Sequence, residues 1–522
     1  MSQANHIKST FKHALIYSGA TILGKAIGFI MLPVYAHYLR GEGYGIIGMI
    51  DVTLSVLVIF IGYGISGAMR RFYFQKTEGR ERNIFVSTNI ILMVLLVIGI
   101  VIPALIFSEP IARLAFGKVG MGYYIVLAFL NFIAETTAAN AANYIIIQRK
   151  SLLYSGISLV QLFIALSLNI YLIVYLELGV LGYLYSALIT STIITLVMHG
   201  YAFWHVGVHF RNSDAREILA FSLPLIPGYV AAFIRGNTDR VMLRTYLGLT
   251  QLGAFEMLFK FATLIGVFFS VPFMRSWDIK RFEICEQTEG PNIMARMFTY
   301  QLAVNLFFGM VLALMIPLLL RLLTPPEFWL GGGIALLAVA SRIVNDSYTQ
   351  FNFGLVYAKR MFTLSAIQFI AAGVSVVLCW LLIKDYGIFG AVIAASLVSV
   401  VQCLIGYLLA RKYYPIPYEW MKVVLMVCSS TILFFMINLI SIKGSSFGDW
   451  LSINLQSPIT TVFQTIHLDN IKEGKLLKYV VNNIPLVFEG GLKFLLSFSF
   501  IAILPLIGVV PKDMFSKLRS SG

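Results

Sequence analysis

"YLRGEGYG", residues 38–45, returns as "YLGLTQLGAF", residues 246–255. Placing Leu39 on Leu247 also places Gly45 on Gly253, an offset of 208 positions. Each copy follows an apolar stretch long enough to cross a bilayer, and the two stretches are the first and seventh of the chain. Six spans from one copy to the next is an even number, which restores the orientation. The two halves therefore read as parallel repeats related by an axis along the membrane normal, a common plan for transporters.

The spans themselves follow from composition. Of 522 residues, 59% are hydrophobic and 12% charged, against about 25% charged in soluble domains. A helix needs roughly 20 apolar residues to cross about 30 Å of hydrocarbon. Windows of that kind occur at 12–38, 45–69, 84–107, 120–147, 152–176, 181–205, 218–245, 252–274, 294–322, 331–358, 363–383, 387–410, 419–441 and 491–510. The expected fold is all-α: a polytopic membrane protein of about fourteen helices, with two six-helix lobes around a central cavity and two further C-terminal helices. Its parts are an N-terminal lobe (1–210), a C-terminal lobe (211–412), and the segment 413–522, which holds the last two spans and an outer loop at about 442–490. That loop mixes apolar and charged residues, which fits an amphipathic surface element or a partner contact.

The net charge of +15 points to lipid rather than nucleic acid. Lys and Arg gather in alternate loops, as at Arg70, Arg71, Arg80 and Arg82, or Arg149 and Lys150. This positive-inside bias predicts a cell-membrane protein with both termini cytoplasmic. Basic loops beside anionic headgroups account for the charge, and no nucleic-acid module is visible. The first span is too long for a signal-peptide core, and no cleavage site is evident before Pro33, so it is expected to remain.

Catalytic and metal chemistry find little support. Cys285, Cys379, Cys403 and Cys428 stand one by one along the chain, without disulfide or metal spacing. His205 and His209 lie one turn apart but lack an evident third ligand. No acidic D-x-D metal motif and no H-E-x-x-H is present. The expectation is a non-enzyme with no cofactor and no metal.

The offset can be tested on residues that did not define it. Ionisable residues inside the N-terminal spans are Lys25, Asp51 and Glu135; 208 positions on, or one or two residues from there, stand Arg235, Lys260 and Arg342. Opposite charges follow at one turn's spacing in Arg235/Asp239, Glu256/Lys260 and Arg342/Asp346. Ser18, Thr21, Lys25 and Gly28 share a helix face, as do Gly253, Glu256, Lys260 and Thr263. Helices with polar stripes at equivalent places predict one hydrated cavity. Charges of this kind also serve as latches between helices. Pro224, Pro227 and Gly228 open the seventh span, where bent helices are tolerated beside protein or cavity water.

Three stretches carry a resemblance. "GFIMLPVYAHYLRGEGYGIIGMID" (28–51) and "GAMRRFYF" (67–74) resemble the opening of the polysaccharide transporter family. These are the Wzx-type lipid-linked oligosaccharide flippases of the multidrug/oligosaccharidyl-lipid/polysaccharide exporter superfamily. "FSLPLIPGYVAAFIRGNTDRVMLRTYLGLTQLGAFEMLFKF" (221–261) is similar to the start of that family's second lobe. The resemblance implies export of undecaprenyl-diphosphate-linked sugars across the cytoplasmic membrane through a cationic cavity. Its partners would be the lipid-linked oligosaccharide, membrane lipids, and polysaccharide polymerase or export proteins. A diphosphate needs Arg or Lys donors, and Lys25, Arg235, Lys260 and Arg342 are the candidates. Asp51, Glu135, Asp239, Glu256 and Asp346 would balance that charge or relay a coupling proton. The 442–490 loop is longer than the resemblance implies. A multidrug exporter of the same superfamily is the alternative, but its cavity should be acidic or aromatic. A non-transporting scaffold of a polysaccharide assembly complex is another.

Overall fold

Hydrocarbon offers no water to unpaired backbone groups, so a chain this apolar has only helices or a closed barrel available to it. A computed structural model describes residues 31–440 and 489–509, together with Gly28, Leu486 and Val487. It is α-helical, with no strand among the described residues. Ten of the described helices are long and apolar enough to cross a membrane, and the expected all-α polytopic architecture is what is found. Lys25, Ser18 and Thr21, the start of the first span, and the outer loop as far as Pro485 lie outside the described residues.

The helices used below are α1 (Leu32–Phe72), α2 (Arg80–Ile106), α3 (Ser108–Phe116), α4 (Gly122–Ile147), α5 (Ser151–Asn169), α6 (Gly179–Val206), α7 (Asn212–Ser222), α8 (Ile226–Leu247), α9 (Leu249–Ala262), α10 (Val271–Ile284), α11 (Gly290–Leu323), α12 (Gly332–Phe351) and α13 (Met361–Ala410). Two of them contain a break. Arg40 in α1 has φ 61°, in the left-handed region, so the first quoted motif bends the chain between two spans. Gly387 does the same in α13 at φ 57°, where the absence of a Cβ makes that conformation easy.

The chain divides into two units, Met1–Gly253 with Ser375–Trp380, and Ala254–Val374 with Leu381–Gly522. In the first unit, Ala138, Ala141 and Ala142 of α4 pack against Ile194, Met198 and Ala202 of α6 and Val86 and Ile90 of α2. Small side chains let these backbones approach closely, which is how helices gain contact energy inside lipid. A buried polar chain ties α1 to α4 and α2 in the same unit. Ser66 Oγ donates to Asn140 Oδ1 (2.8 Å), Asn140 Nδ2 to Asn89 Oδ1 (3.0 Å), and Asn89 Nδ2 to the Ile65 carbonyl (3.0 Å).

The repeated motif meets itself within this unit. A Cβ on Gly45 would lie 1.9 Å from the Leu249 carbonyl oxygen, and one on Gly253 would lie 1.9 Å from that of Gly41. Gly41 and Leu249 are themselves a pair at the 208-residue offset, so each copy receives the other's glycine.

Charges outside the spans form a clamp. Asp214 at the start of α7 accepts from Lys76 (3.2 Å) and from Arg211 Nη2 (2.7 Å) and Nε (2.8 Å), while Glu217 takes Lys76 at 2.6 Å and Glu81 takes Arg211 at 2.8 Å. Burial alone would lower the Lys76 pKa, but the hydrogen bonds to Glu217 and Asp214 outweigh it and raise it. Hydrogen bonds to Glu81 and Asp214 likewise raise that of Arg211.

In the second unit, α11 and α12 pack through Gly309, where a Cβ would stand 2.7 Å from Ile343 Cδ1. Gln350 is a polar hub, accepting from Trp277 Nε1 (3.2 Å) and donating to Gln301 Oε1 (2.7 Å). Phe351, Tyr407, Tyr418 and Trp420 cluster edge to face beside it.

Candidate transport sites

The charges singled out in the spans fall into both units. In the first, Asp51 on α1 and Glu135 on α4 are exposed. Glu135 receives one long bond, 3.5 Å from Asn131 Nδ2. On α8, Arg235 and Asp239 are half-buried. Asp239 Oδ1 accepts from the Arg240 backbone N–H at 2.8 Å and from its Nη1 at 3.5 Å. The adjacent residue thus reaches this carboxylate through the main chain, a local route open to short acidic side chains.

In the second unit, Glu256 is half-buried and Lys260 exposed on α9. On α12, Arg342 Nη2 and Asp346 Oδ1 form an ion pair at 3.2 Å, with side-chain exposures of 33% and 10%. A short π-helical turn, Gly266–Ser270, packs against this pair. A Cβ on Gly266 would stand 3.2 Å from Arg342 Nη2 and 3.3 Å from its Nε, so the missing side chain makes room for the guanidinium. Wide turns of this kind are frequent at functional sites. Among the described residues, Arg342 Nε and Asp346 Oδ2 are buried without a hydrogen-bond partner. A buried charged group left short of partners is costly, and the pair has bonding capacity to spare.

Of two cavities, one in each unit, one has Glu135 in its wall and neither is lined by the other charges named above. A groove of about 460 Å³ in the first unit, apolar over most of its wall, has Ser66 and Arg70 of α1, Phe132, Glu135 and Asn143 of α4, and Tyr154 of α5 at its edge. An apolar cavity of about 260 Å³ in the second unit has Leu302, Met310, Val339, Ile343 and Trp420 in its wall. Arg70 reads from sequence as one of a basic loop pair. The structure carries α1 on to Phe72 and places Arg70 Nη1 3.3 Å from Asn143 Oδ1. The signal for it lay in the spacing of Ser66 and Arg70, one turn apart on one helix face.

The all-α fold, the multiple spans and the charged groups held within them define a polytopic membrane protein with polar sites inside its spans. Residues 10–277, just over half of the chain, match the family described as polysaccharide biosynthesis protein, and the chain belongs to that family. A protein of the Lsg locus of Haemophilus influenzae is 23% identical over 273 residues, covering 49% of this chain and 62% of that relative. The chain thus spans less than two thirds of that relative's length. Among solved structures, the lipid II flippase MurJ in an inward closed conformation superposes with a TM-score of 0.68 at 16% identity, covering 94% of this chain and 100% of that one. The Vibrio cholerae MATE transporter VcmN in its bent form gives 0.53 at 14% identity, covering 78% and 98%. At these identities the likeness is one of fold. The two solved structures are themselves named as a flippase and a transporter.

Proposed function

We propose that the protein flips a lipid-linked oligosaccharide, carried on a diphosphate such as undecaprenyl diphosphate, from the cytoplasmic to the outer leaflet for polysaccharide synthesis or export. It does so by alternating access, with both termini cytoplasmic. The observation that carries this reading is Arg342. It is a permanently charged guanidinium in a helix otherwise rich in Ala, Val, Ile and Leu. A third of its side chain is accessible and its Nε is unpaired among the described residues. A cation so placed marks a substrate or ion pathway, and the planar fork of Arg matches phosphate oxygens. Arg235 and Lys260, with Lys25, would add to the same role. Asp51, Glu135, Asp239, Glu256 and Asp346 would keep the bound anion releasable.

The family's description and the fold shared with a protein named as a lipid II flippase support the substrate class. A cation exporter is disfavoured because its site should attract positive charge, whereas Arg342 repels it.

The test replaces Arg342 by Lys, Gln or Ala in a strain whose surface polysaccharide depends on the protein. Purified protein is titrated in parallel with undecaprenyl diphosphate. Gln and Ala should abolish export at normal membrane abundance and weaken binding by roughly tenfold or more, the scale of one charge-assisted contact. Lys should keep part of both. Unchanged export in the Ala variant would refute the reading.

A further inference from the structure

The groove in the first unit is not explained by a diphosphate. It has a single guanidinium at one end and a carboxylate at the other, whereas a diphosphate needs several cationic donors gathered together. Glu135 and Asn143 are eight residues apart on α4, so the carboxylate and the Arg70–Asn143 pair stand roughly 12 Å apart along the helix. Between and beside them lie Ser66, Phe132 and Tyr154.

The bonding capacity of these groups decides what the groove takes. Ser66, Asn140 and Asn89 complete one another in the buried chain described above and act as a brace. Arg70 is different: the guanidinium has five N–H donors, and the bond described for it is a single long one to Asn143. Glu135 can accept about four hydrogen bonds and receives one at the limit of length. Neither group would be tolerated facing hydrocarbon, so the groove is wet. It thus offers donors at one end, acceptors at the other, and an aromatic and aliphatic wall along its side. That combination suits a polyol whose ring has polar edges and an apolar face. A cavity of about 460 Å³ falls within the range of small-molecule sites and has room for a sugar chain of one or two rings.

We propose that the groove formed by Ser66, Arg70, Phe132, Glu135, Asn143 and Tyr154 is a carbohydrate subsite. It receives one or two pyranose rings of the transported molecule, with Arg70 donating to ring substituents at one end and Glu135 accepting hydroxyl protons at the other. This deepens the flippase reading and rests on it for the identity of the cargo. The subsite itself can be tested with free sugar.

Full-length protein in nanodiscs is exposed to cellobiose, di-N-acetylchitobiose and a glucuronate-containing hyaluronan disaccharide. Binding is read by saturation-transfer NMR, with thermal unfolding as the control for fold. Transfer to at least one sugar is expected in the wild type, weakened roughly tenfold by Arg70→Gln and by Glu135→Gln. Arg70→Lys, which keeps the charge, should fall between. No transfer with any of the three, or transfer indifferent to both substitutions in folded protein, would overturn the subsite. Sugar transfer that depends on Arg70 and Glu135, with no binding of undecaprenyl diphosphate, would keep the subsite and sink the flippase reading. Diphosphate binding that depends on Arg342, with sugar transfer blind to Arg70 and Glu135, would do the reverse.

Discussion

Two polar clusters inside the spans, one in each unit, are treated in opposite ways. In the first, Ser66, Asn140 and Asn89 form a closed chain with bonds of 2.8–3.0 Å, and both asparagines are fully buried. In the second, Arg342 and Asp346 share one contact at 3.2 Å, and each keeps a buried polar atom unpaired. Neutral amides that satisfy each other stabilise a bundle modestly and ask for no ligand. A charged pair left short of bonds does little for stability and much for recognition. The lesson is to rank intramembrane polar residues by unused bonding capacity rather than by polarity.

The comparison can be broken in three graded ways, scaled by thermal or denaturant unfolding of purified protein. The largest loss should come from pure backbone crowding. Gly45→Ala or Gly253→Ala puts a Cβ 1.9 Å from a carbonyl oxygen and should cost about 3 kcal/mol or more, seen also as low membrane abundance. Stability equal to wild type in either variant would mean that the reciprocal contact yields. Asn140→Ala opens the closed chain and should lose about 1–2 kcal/mol, while transport per folded molecule stays within roughly twofold, as expected of a brace. A large fall in that specific rate would move the chain from brace to site. Asp346→Asn should change stability by about 1 kcal/mol or less, since Arg342 is a third exposed and solvent screens the pair, but should alter export strongly. Equal effects on both would erase the distinction.

The sequence makes some of this legible and hides the rest for physical reasons. Span positions are readable because the bilayer fixes both length and polarity. The relation of Gly45 to Gly253 is readable because a close backbone approach admits no side chain at either place, so both copies carry glycine. Arg342/Asp346 is readable because one-turn spacing puts the two on one face. The groove is harder. Arg70 looks like half of a basic loop with Arg71, and only the packing of α1 against α4 brings it to Asn143. At Asp239, one-turn spacing points to Arg235, and the main-chain N–H of Arg240 at 2.8 Å is a further donor that no side-chain rule describes. Sequence periodicity reports which face a residue is on, and tertiary packing decides what meets it there.

The smallest expected effect lies outside the membrane and sharpens the same contrast, because Glu109 is a charge whose bonds are well filled. Its carboxylate accepts from the backbone N–H of Gly120 (2.6 Å) and of Gly122 (2.8 Å), the first residue of α4. These bonds, from Gly120 first and Gly122 next, hold its pKa below the ordinary range. A carboxyl whose folded pKa is depressed stabilises the fold above its unfolded value of about 4.3, and that contribution is lost as pH falls from there through the folded pKa. Glu109→Gln should therefore unfold at a slightly lower temperature than wild type at pH 7. The gap should narrow as the pH falls below the ordinary carboxyl range, because the wild-type group then protonates. A gap that widens on acidification, or stays constant through that window, would show that the two glycine N–H groups do not depend on the charge of Glu109.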